Sequence, residues 1–309
     1  MRPDTPHPAD THGWHTTDDL EAFLSRAGDF LRSRPDLHTV VLNVTEVLRT
    51  RGLRAYGDEA PLFGLLEEDG SVRGAYFRTP PYRLYLTPLT TARADSLAAH
   101  LAALGHAVPG VSAEAATASG FAGAWRRRTG GEAVPYQRQR LYRLDTLTEP
   151  EPVPQGRPRI AGEGDRELLV RWFGEFVRDI GESENDSVCA ESWADARLAY
   201  GGVTLWEAPD GTPVSMAGLT PPVAGQIRVA PVYTPAPLRG RGYAGAATVE
   251  VSRLARERGA GEVLLFTDLA NPTSNGLYQR IGYRPVADFA VYDFQGQSSS
   301  RTQPPSARR

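Results

Sequence analysis

One short run near the end of the chain carries the strongest chemical signal: Arg239-Gly240-Arg241-Gly242-Tyr243-Ala244. It stands between a strand-like run, Ile227 to Thr234, and a stretch with Ala247, Val251 and Leu254 at helical spacing. A strand that feeds such a turn into a helix start suits a phosphate. The N–H groups of a first helical turn lack intrahelical partners and point outward, and the helix dipole favours an anion there. Arg239 and Arg241 add charge and forked donors. Gly240 and Gly242 let a ligand approach the main chain where a Cβ would block it.

Missing residue types narrow the chemistry. The chain of 309 residues contains no lysine. That excludes a lysine Schiff base, hence pyridoxal-phosphate catalysis, and also the Gly-Lys pair of a nucleotide P-loop. No histidine follows His106, so the half with the glycine turn holds no Ser-His-Asp or Cys-His nucleophile of its own. Cys189 is the single cysteine; no internal disulfide is possible, the thiol is expected to be buried and inert, and a cytoplasmic location is expected. His12 and His15 read as solvated rather than as a metal clip, and no metal site is expected. A net charge of −3 gives no reason to expect nucleic acid or an anionic membrane as partner. No apolar run approaches the ~20 residues of a membrane span, and Met1–Asp10 carries no apolar signal core.

The supporting elements follow from periodicity. Residues 1–17 read as a mobile tail. A helix follows, with Leu20, Phe23, Leu24, Ala27 and Leu31 at helical spacing. Thr39–Val44 is a strand or the lead into a helix reaching Arg51. Pro61–Phe77 is a hairpin about Asp69-Gly70, and Tyr82–Leu86 a short strand. Helices are predicted over Ala92–Leu104 and Ser112–Arg128, and a strand over Tyr136–Leu144. The repeated prolines of residues 149–158 deny both helix and ladder and mark a linker. This divides the chain into an N-terminal α+β domain, 18–148, and a second domain, 159–295, before a polar tail over 296–309. In the second domain a strand is expected at Ile160. Asp165 then leads a helix with Leu169, Trp172, Phe173, Phe176 and Ile180 on one face. Next come a polar loop over Gly181–Ser187, a helix over Ala190–Tyr200 and a hairpin about Asp210-Gly211. After the strand over Ile227–Thr234, a helix is predicted from Arg239 to Arg258. A buried parallel strand spans Val263–Thr267, and a helix capped by Asn271 with Pro272 in its first turn follows. A last strand runs over Val286–Phe294.

Two motifs in this order resemble the GNAT superfamily of acyl-CoA N-acyltransferases. Arg239 to Ala244 matches the family's [RQ]-x-x-G-x-[GA] pyrophosphate turn. Asn271-Pro272-Thr273-Ser274-Asn275-Gly276-Leu277-Tyr278-Gln279-Arg280-Ile281-Gly282-Tyr283 matches its N-x-x-[AS]-x-x-L-Y-x-x-x-G-[FY] signature. Val232-Tyr233-Thr234-Pro235 ahead of the turn is most similar to the FR-type branch. The resemblance covers about Ile160 to Phe294 and implies an α/β (α+β) GNAT fold, a mixed twisted sheet flanked by helices. The first half has a similar run of elements. It is either a degenerate tandem copy or an unrelated α+β domain for substrate or dimer contacts. After its strand at Tyr82–Leu86 no glycine stands where a pyrophosphate would sit.

The resemblance implies acetyl-CoA as cosubstrate and a small-molecule amine as acceptor, in a monomer or homodimer. Val232, Tyr233 and Thr234 would flank the pantetheine arm in a gap between strands, pairing with it like an added strand. Arg239, Gly240, Arg241, Gly242, Tyr243 and Ala244 would wrap the pyrophosphate. Asn271 and Ser274 would orient the arm or cap their helix. Tyr278 would be the general acid that protonates the thiolate. The base falls to Glu184, with its neighbour Glu182, Asp268 or ordered water as alternatives; the plainer reading of this acidic loop is a solvated lip. A non-catalytic acyl-CoA-binding module and a peptide N-acetyltransferase are the competing functions.

Overall fold

The computed structural model describes residues 13–181 and 189–296. The first half runs β1 (Gly13–Thr17), α1 (Leu20–Ser33), α2 (Thr39–Arg51), β2 (Leu62–Glu68), β3 (Ser71–Arg78), β4 (Leu84–Leu86), α3 (Thr91–Ala103), β5 (Gly110–Glu114), α4 (Ala115–Thr129) and β6 (Glu132–Leu144). The second half runs β7 (Arg157–Ile160), α5 (Arg166–Asp179), α6 (Ala190–Leu198), β8 (Val203–Glu207), β9 (Pro213–Leu219), β10 (Gln226–Tyr233), α7 (Tyr243–Glu257), β11 (Glu262–Asp268), α8 (Pro272–Arg280) and β12 (Tyr283–Gln295). Short turns of 3-10 helix aside, both halves repeat one order, β-α-α-β-β-β-α-β-α-β. Among the described residues no helix is long and apolar enough to cross a membrane.

The two halves share one sheet, in the order β1-β2-β3-β4-β5-β12-β6-β11-β10-β9-β8-β7. Each half's last strand lies between two strands of the other half: β12 between β5 and β6, and β6 between β12 and β11. The first half's β6 pairs with β11 from Leu264↔Arg143 to Asp268↔Gln139. The second half's β12 pairs with β5 from Phe289↔Glu114 to Asp293↔Gly110. The two exchanged strands then pair with each other from Tyr283↔Leu144 to Gln295↔Glu132. Ion pairs fasten the junction: Arg140 Nε to Asp288 Oδ1 and Arg83 Nε to Asp293 Oδ1, both 2.6 Å. The proline segment separates the halves in sequence, while residues on either side of it join them in space.

Helix α1 shows how local sequence builds one side of the sheet. Asp19 accepts a hydrogen bond from Ala22 N at 3.0 Å and so caps the helix. Leu20, Phe23, Ala27 and Leu31 repeat on one face and are buried. They pack with Phe63, Phe77, Tyr85, Leu141, Leu264 and Phe289, a core drawn from both halves.

The structure corrects several boundaries. Residues 13–17, expected in the tail, form an edge strand on β2, held by Trp14 Nε1 donating to Ser96 Oγ at 2.9 Å and by Thr16 against Tyr76 and His100. The region expected as one helix from Ser112 begins as strand β5. The alanine-rich composition hid it, and its pairing with β4 and β12 decides the outcome. Thr39–Val44 is helical, within α2. Helix α7 starts at Tyr243 rather than Arg239, because Gly240 and Gly242 take φ of +77° and +83°, a left-handed turn outside the helix. Cys189, expected to be buried, is exposed, and its Sγ donates to Glu191 Oε2 at 2.7 Å.

Candidate active site

Strand β10 pairs in parallel with β11 only from Gln226↔Glu262 to Val229↔Leu265. Beyond Val229 a bulge against β9 shifts the register before pairing resumes at Val232↔Ala217, and Pro231 within it has no N–H to give. Strand β11 runs on to Asp268, so the two strands diverge and leave main chain facing a gap. A cleft of about 770 Å³ fills that gap. Its walls include Val232–Thr234, Arg239–Gly245, Phe266–Asp268, Asn271, Ser274 and Tyr278. The site residues expected from sequence therefore converge, with one exception: Glu184, and Glu182 with it, lies outside the described residues.

The turn at one end is open. A Cβ built on Gly240 would meet nothing within 4 Å, while the first intrahelical bond of α7 is Ala246 N to Gly242 O. The N–H groups before it have no helical acceptor, and their residues line the cleft. An anionic pyrophosphate fits this cradle, as the residue types predict. The arginines are more committed than the sequence suggests. Arg239 Nε donates to Thr234 O at 2.9 Å and its guanidinium pairs with Asp179, so it braces the turn against α5. Arg241 is exposed and reaches only Pro237 O, at 3.3 Å.

Tyr233 lines the cleft, but its hydroxyl is taken: it donates to Glu175 Oε2 at 2.8 Å. Burial first, and then Glu175, push its pKa up to about 12. Thr234 Oγ1 and Tyr233 O both meet Ser215 Oγ, at 2.9 and 3.0 Å, which fixes the end of β10. Asn271 caps α8, its Oδ1 accepting from Ser274 N at 3.0 Å.

Tyr278 is buried on α8, in edge-to-face contact with Tyr283 at 6.1 Å. Its hydroxyl makes no hydrogen bond with any described residue. Burial raises its pKa to about 12. Signature residue Gly282 has a packing reason. At φ +105° its Cβ would sit 1.8 Å from Thr146 O, where the chain leaving β6 crosses the end of α8.

The sequence reading missed the opposite wall. Gln137 and Gln139 on β6 line the cleft. Gln139 Nε2 donates to Gln137 Oε1 at 2.8 Å, and Gln137 Nε2 to Asp268 Oδ2 at 3.1 Å. A carboxylate is thereby held at the cleft by the first half of the chain. The alternation of β6 puts both glutamines on one face, but nothing local says which strand that face adjoins.

Sequence and fold comparisons agree with this geometry. Residues 167–283 match the model of the Acetyltransferase (GNAT) family. Among solved structures, a GCN5-related N-acetyltransferase from Sphaerobacter thermophilus is 19% identical, with a TM-score of 0.58 over 90% of this chain and 94% of that one. A GNAT-family acetyltransferase from Colwellia psychrerythraea is 13% identical, with a TM-score of 0.55 over 91% and 98% of the two chains. A tandem GNAT protein from the clavulanic acid biosynthesis pathway is 12% identical, with a TM-score of 0.56 over 92% and 99%. At these identities the likeness is one of fold, and it spans both halves. No curated protein matches the chain in sequence.

Proposed function

We propose that the protein is an N-acetyltransferase that moves an acetyl group from acetyl-CoA to a small amine. The observation that carries this reading is the end of the β10–β11 pairing at Val229, with the glycine turn at one end of the resulting gap and Tyr278 within it. When bound, acetyl-CoA supplies an activated thioester, and attack by the amine on its carbonyl carbon releases CoA thiol.

The chain's own groups have distinct tasks. The main chain of Val232 and Thr234 offers the N–H and C=O groups of an unpaired strand to the pantetheine amides, and an N–H here stabilises negative charge on the thioester oxygen. The α7 N-terminus holds the pyrophosphate. Tyr278 donates a hydrogen bond to the departing sulfur. With a phenol near 12 and a thiol near ~8.5, full proton transfer from Tyr278 is uphill by roughly 5 kcal/mol. Its role is therefore hydrogen-bond stabilisation, with the proton finally coming from solvent or from the amine. Asp268, fixed by Gln137, is the described carboxylate that can hold the amine and accept its proton.

A thiol-release assay with acetyl-CoA and a panel of small amines tests the reading. Turnover with at least one amine is expected; acetyl-CoA binding with no thiol released from any of them would leave only a binding module.

A further inference from the structure

The face of the sheet that carries Asp268 also holds a cation that no described carboxylate neutralises. Arg228 on β10 stands opposite Leu264 on β11. By the two-residue period of a strand, its side chain shares a face with Leu264, Phe266 and Asp268. The guanidinium lies over the Phe266 ring, 5.9 Å from its centroid. Among the described residues no carboxylate pairs with it and no oxygen accepts from it. Its charged and titratable neighbours are Tyr85, Arg197 and Tyr56: two phenols and a second cation. Burial, the largest cause, lowers its pKa, yet part of the side chain still meets solvent. Arg228 is therefore half-buried, its guanidinium beside the Phe266 ring and open in part to solvent.

Other donors around Arg228 have no partner among the described residues. They are the buried Tyr85 hydroxyl, Arg197 Nε and Gln226 Nε2. Gln226 is fixed by Thr39 Oγ1, which donates to its Oε1 at 3.0 Å from the first half. It sits two residues before Arg228 on the same face. Tyr56 and Tyr85 also come from the first half, so the cluster draws on both halves. Arg197 spends one nitrogen on the Tyr200 hydroxyl, which leaves Nε uncommitted. Two guanidinium groups without a carboxylate among the described residues, beside phenol and amide donors, make an acceptor-poor, donor-rich cluster. A half-buried charge without a counterion is costly to a fold, and a bound anion would offset that cost.

We propose that Arg228 anchors an oxyanion, a carboxylate or phosphate, carried by the acceptor amine. The proposal rests on the acetyl-transfer reading of the cleft. Leu264, opposite Arg228, and Asp268 are four residues apart on β11, which is roughly 13 Å of strand. Phe266, which lines the cleft, lies between them. An acceptor that spans this face has its amine at Asp268 beside the β10–β11 gap, an apolar spacer over Phe266, and its oxyanion at Arg228. That describes an amino acid or aminoalkyl phosphate rather than a simple amine or polyamine.

The test pairs each acidic amine with its uncharged counterpart. Glycine through 6-aminohexanoate, and phosphoethanolamine, are titrated calorimetrically into the CoA-loaded protein beside alkylamines of matched length. At least one acidic probe is expected to bind roughly 10- to 100-fold more tightly than its counterpart, as an Arg–oxyanion hydrogen bond implies. The carboxylate and phosphate arms distinguish the two oxyanions. Arg228→Gln should abolish that preference and Arg228→Lys should keep part of it. Affinity for CoA should not change, and the Tm of Arg228→Gln should stay within about two degrees, because among the described residues the guanidinium loses only its contact with the Phe266 ring. The proposal is overturned if every pair binds alike or not at all, if the preference survives in Arg228→Gln, or if that variant loses several degrees of Tm. Thiol release in the same samples separates the two readings. Acidic preference in binding without thiol release removes the acetyl transfer and leaves the anchor. Neutral amines turned over as well as acidic ones remove the anchor and leave the transfer.

Discussion

Replacing Tyr278 by Phe removes one oxygen from the cleft and little else. The hydroxyl has no hydrogen-bond partner among the described residues, and the buried ring keeps its contact with Tyr283 at 6.1 Å. Stability should therefore hold, with Tm unchanged or slightly higher. What is lost is a hydrogen bond to a sulfur that becomes negative as the thioester breaks. A hydrogen bond to a charged group is worth about 1.5–3 kcal/mol, and because the charge exists only as the bond breaks, the loss falls on kcat, by roughly 10- to 100-fold. The pH dependence has a defined sign. A phenol with its pKa raised to about 12 is protonated, and so able to donate, at every pH below that value. Its contribution should persist as pH rises through 10 and fade only as 12 is approached. Steady-state thiol release in wild type and Tyr278→Phe, from pH 6 to 10.5, measures both quantities. A kcat within about twofold of wild type would refute the hydrogen-bond role. So would a defect confined to KM for acetyl-CoA, or an alkaline limb near pH 9 that disappears in the variant.

Three further perturbations probe the frame of the site. Gly240→Asp puts a carboxylate into the turn at a φ of +77° that Asp tolerates, in space where a Cβ meets nothing within 4 Å. Acetyl-CoA affinity by calorimetry should fall about tenfold or more while the fold survives. Gly282→Ala drives a Cβ to 1.8 Å from Thr146 O at φ +105°; a cost of about 3 kcal/mol should lower Tm by roughly 5 °C, and a Tm unchanged within error would mean the chain after β6 yields there at no cost. Gln137→Leu removes the 3.1 Å hydrogen bond to Asp268 from the first half; KM for the amine should rise about fivefold with acetyl-CoA affinity intact, and unchanged amine kinetics would take Asp268 out of the acceptor site.

The second half was legible because its chemistry is local. Arg239–Ala244 and Asn271–Tyr283 each occupy one turn or one helix end, and each declares itself by residue type. Left-handed glycines set the helix start, and the Asn-Pro pair caps α8. Even there, local sequence does not reveal commitments made at a distance. The motif marks Arg239 as a phosphate ligand, while Asp179 on α5 claims much of its charge. Strand β5 was hidden for the complementary reason. Gly110–Glu114 has weak strand propensity, and only the ladders to β4 and β12 make it a strand. Gln137, Gln139 and Arg228 were invisible as site residues because each acquires its role from a strand that is distant in sequence or contributed by the other half.

The exchange of last strands gives a physical reason for a first half without a glycine turn of its own. After β4 the corresponding segment is closed by side chains. Thr87 Oγ1 binds Ala75 at both N and O, Leu89 N donates to Thr117 Oγ1 at 2.8 Å, and Thr90 caps α3. The main-chain donors of Thr87 and Leu89 are thereby used internally. Yet this half places β6 against β11 over Leu264–Asp268, along the wall that the diverging β10 leaves open. It thereby brings Gln137 and Gln139 to Asp268, and it sets Tyr56, Tyr85 and Thr39 around Gln226 and Arg228. The second half holds the turn and the phenol, and the first half supplies the wall that carries the two glutamines. Without β6, strand β11 would expose five ladder positions and Asp268 would keep only its bond from Ala270 N, so on the proposed function acceptor binding and the integrity of the sheet depend on the same strand.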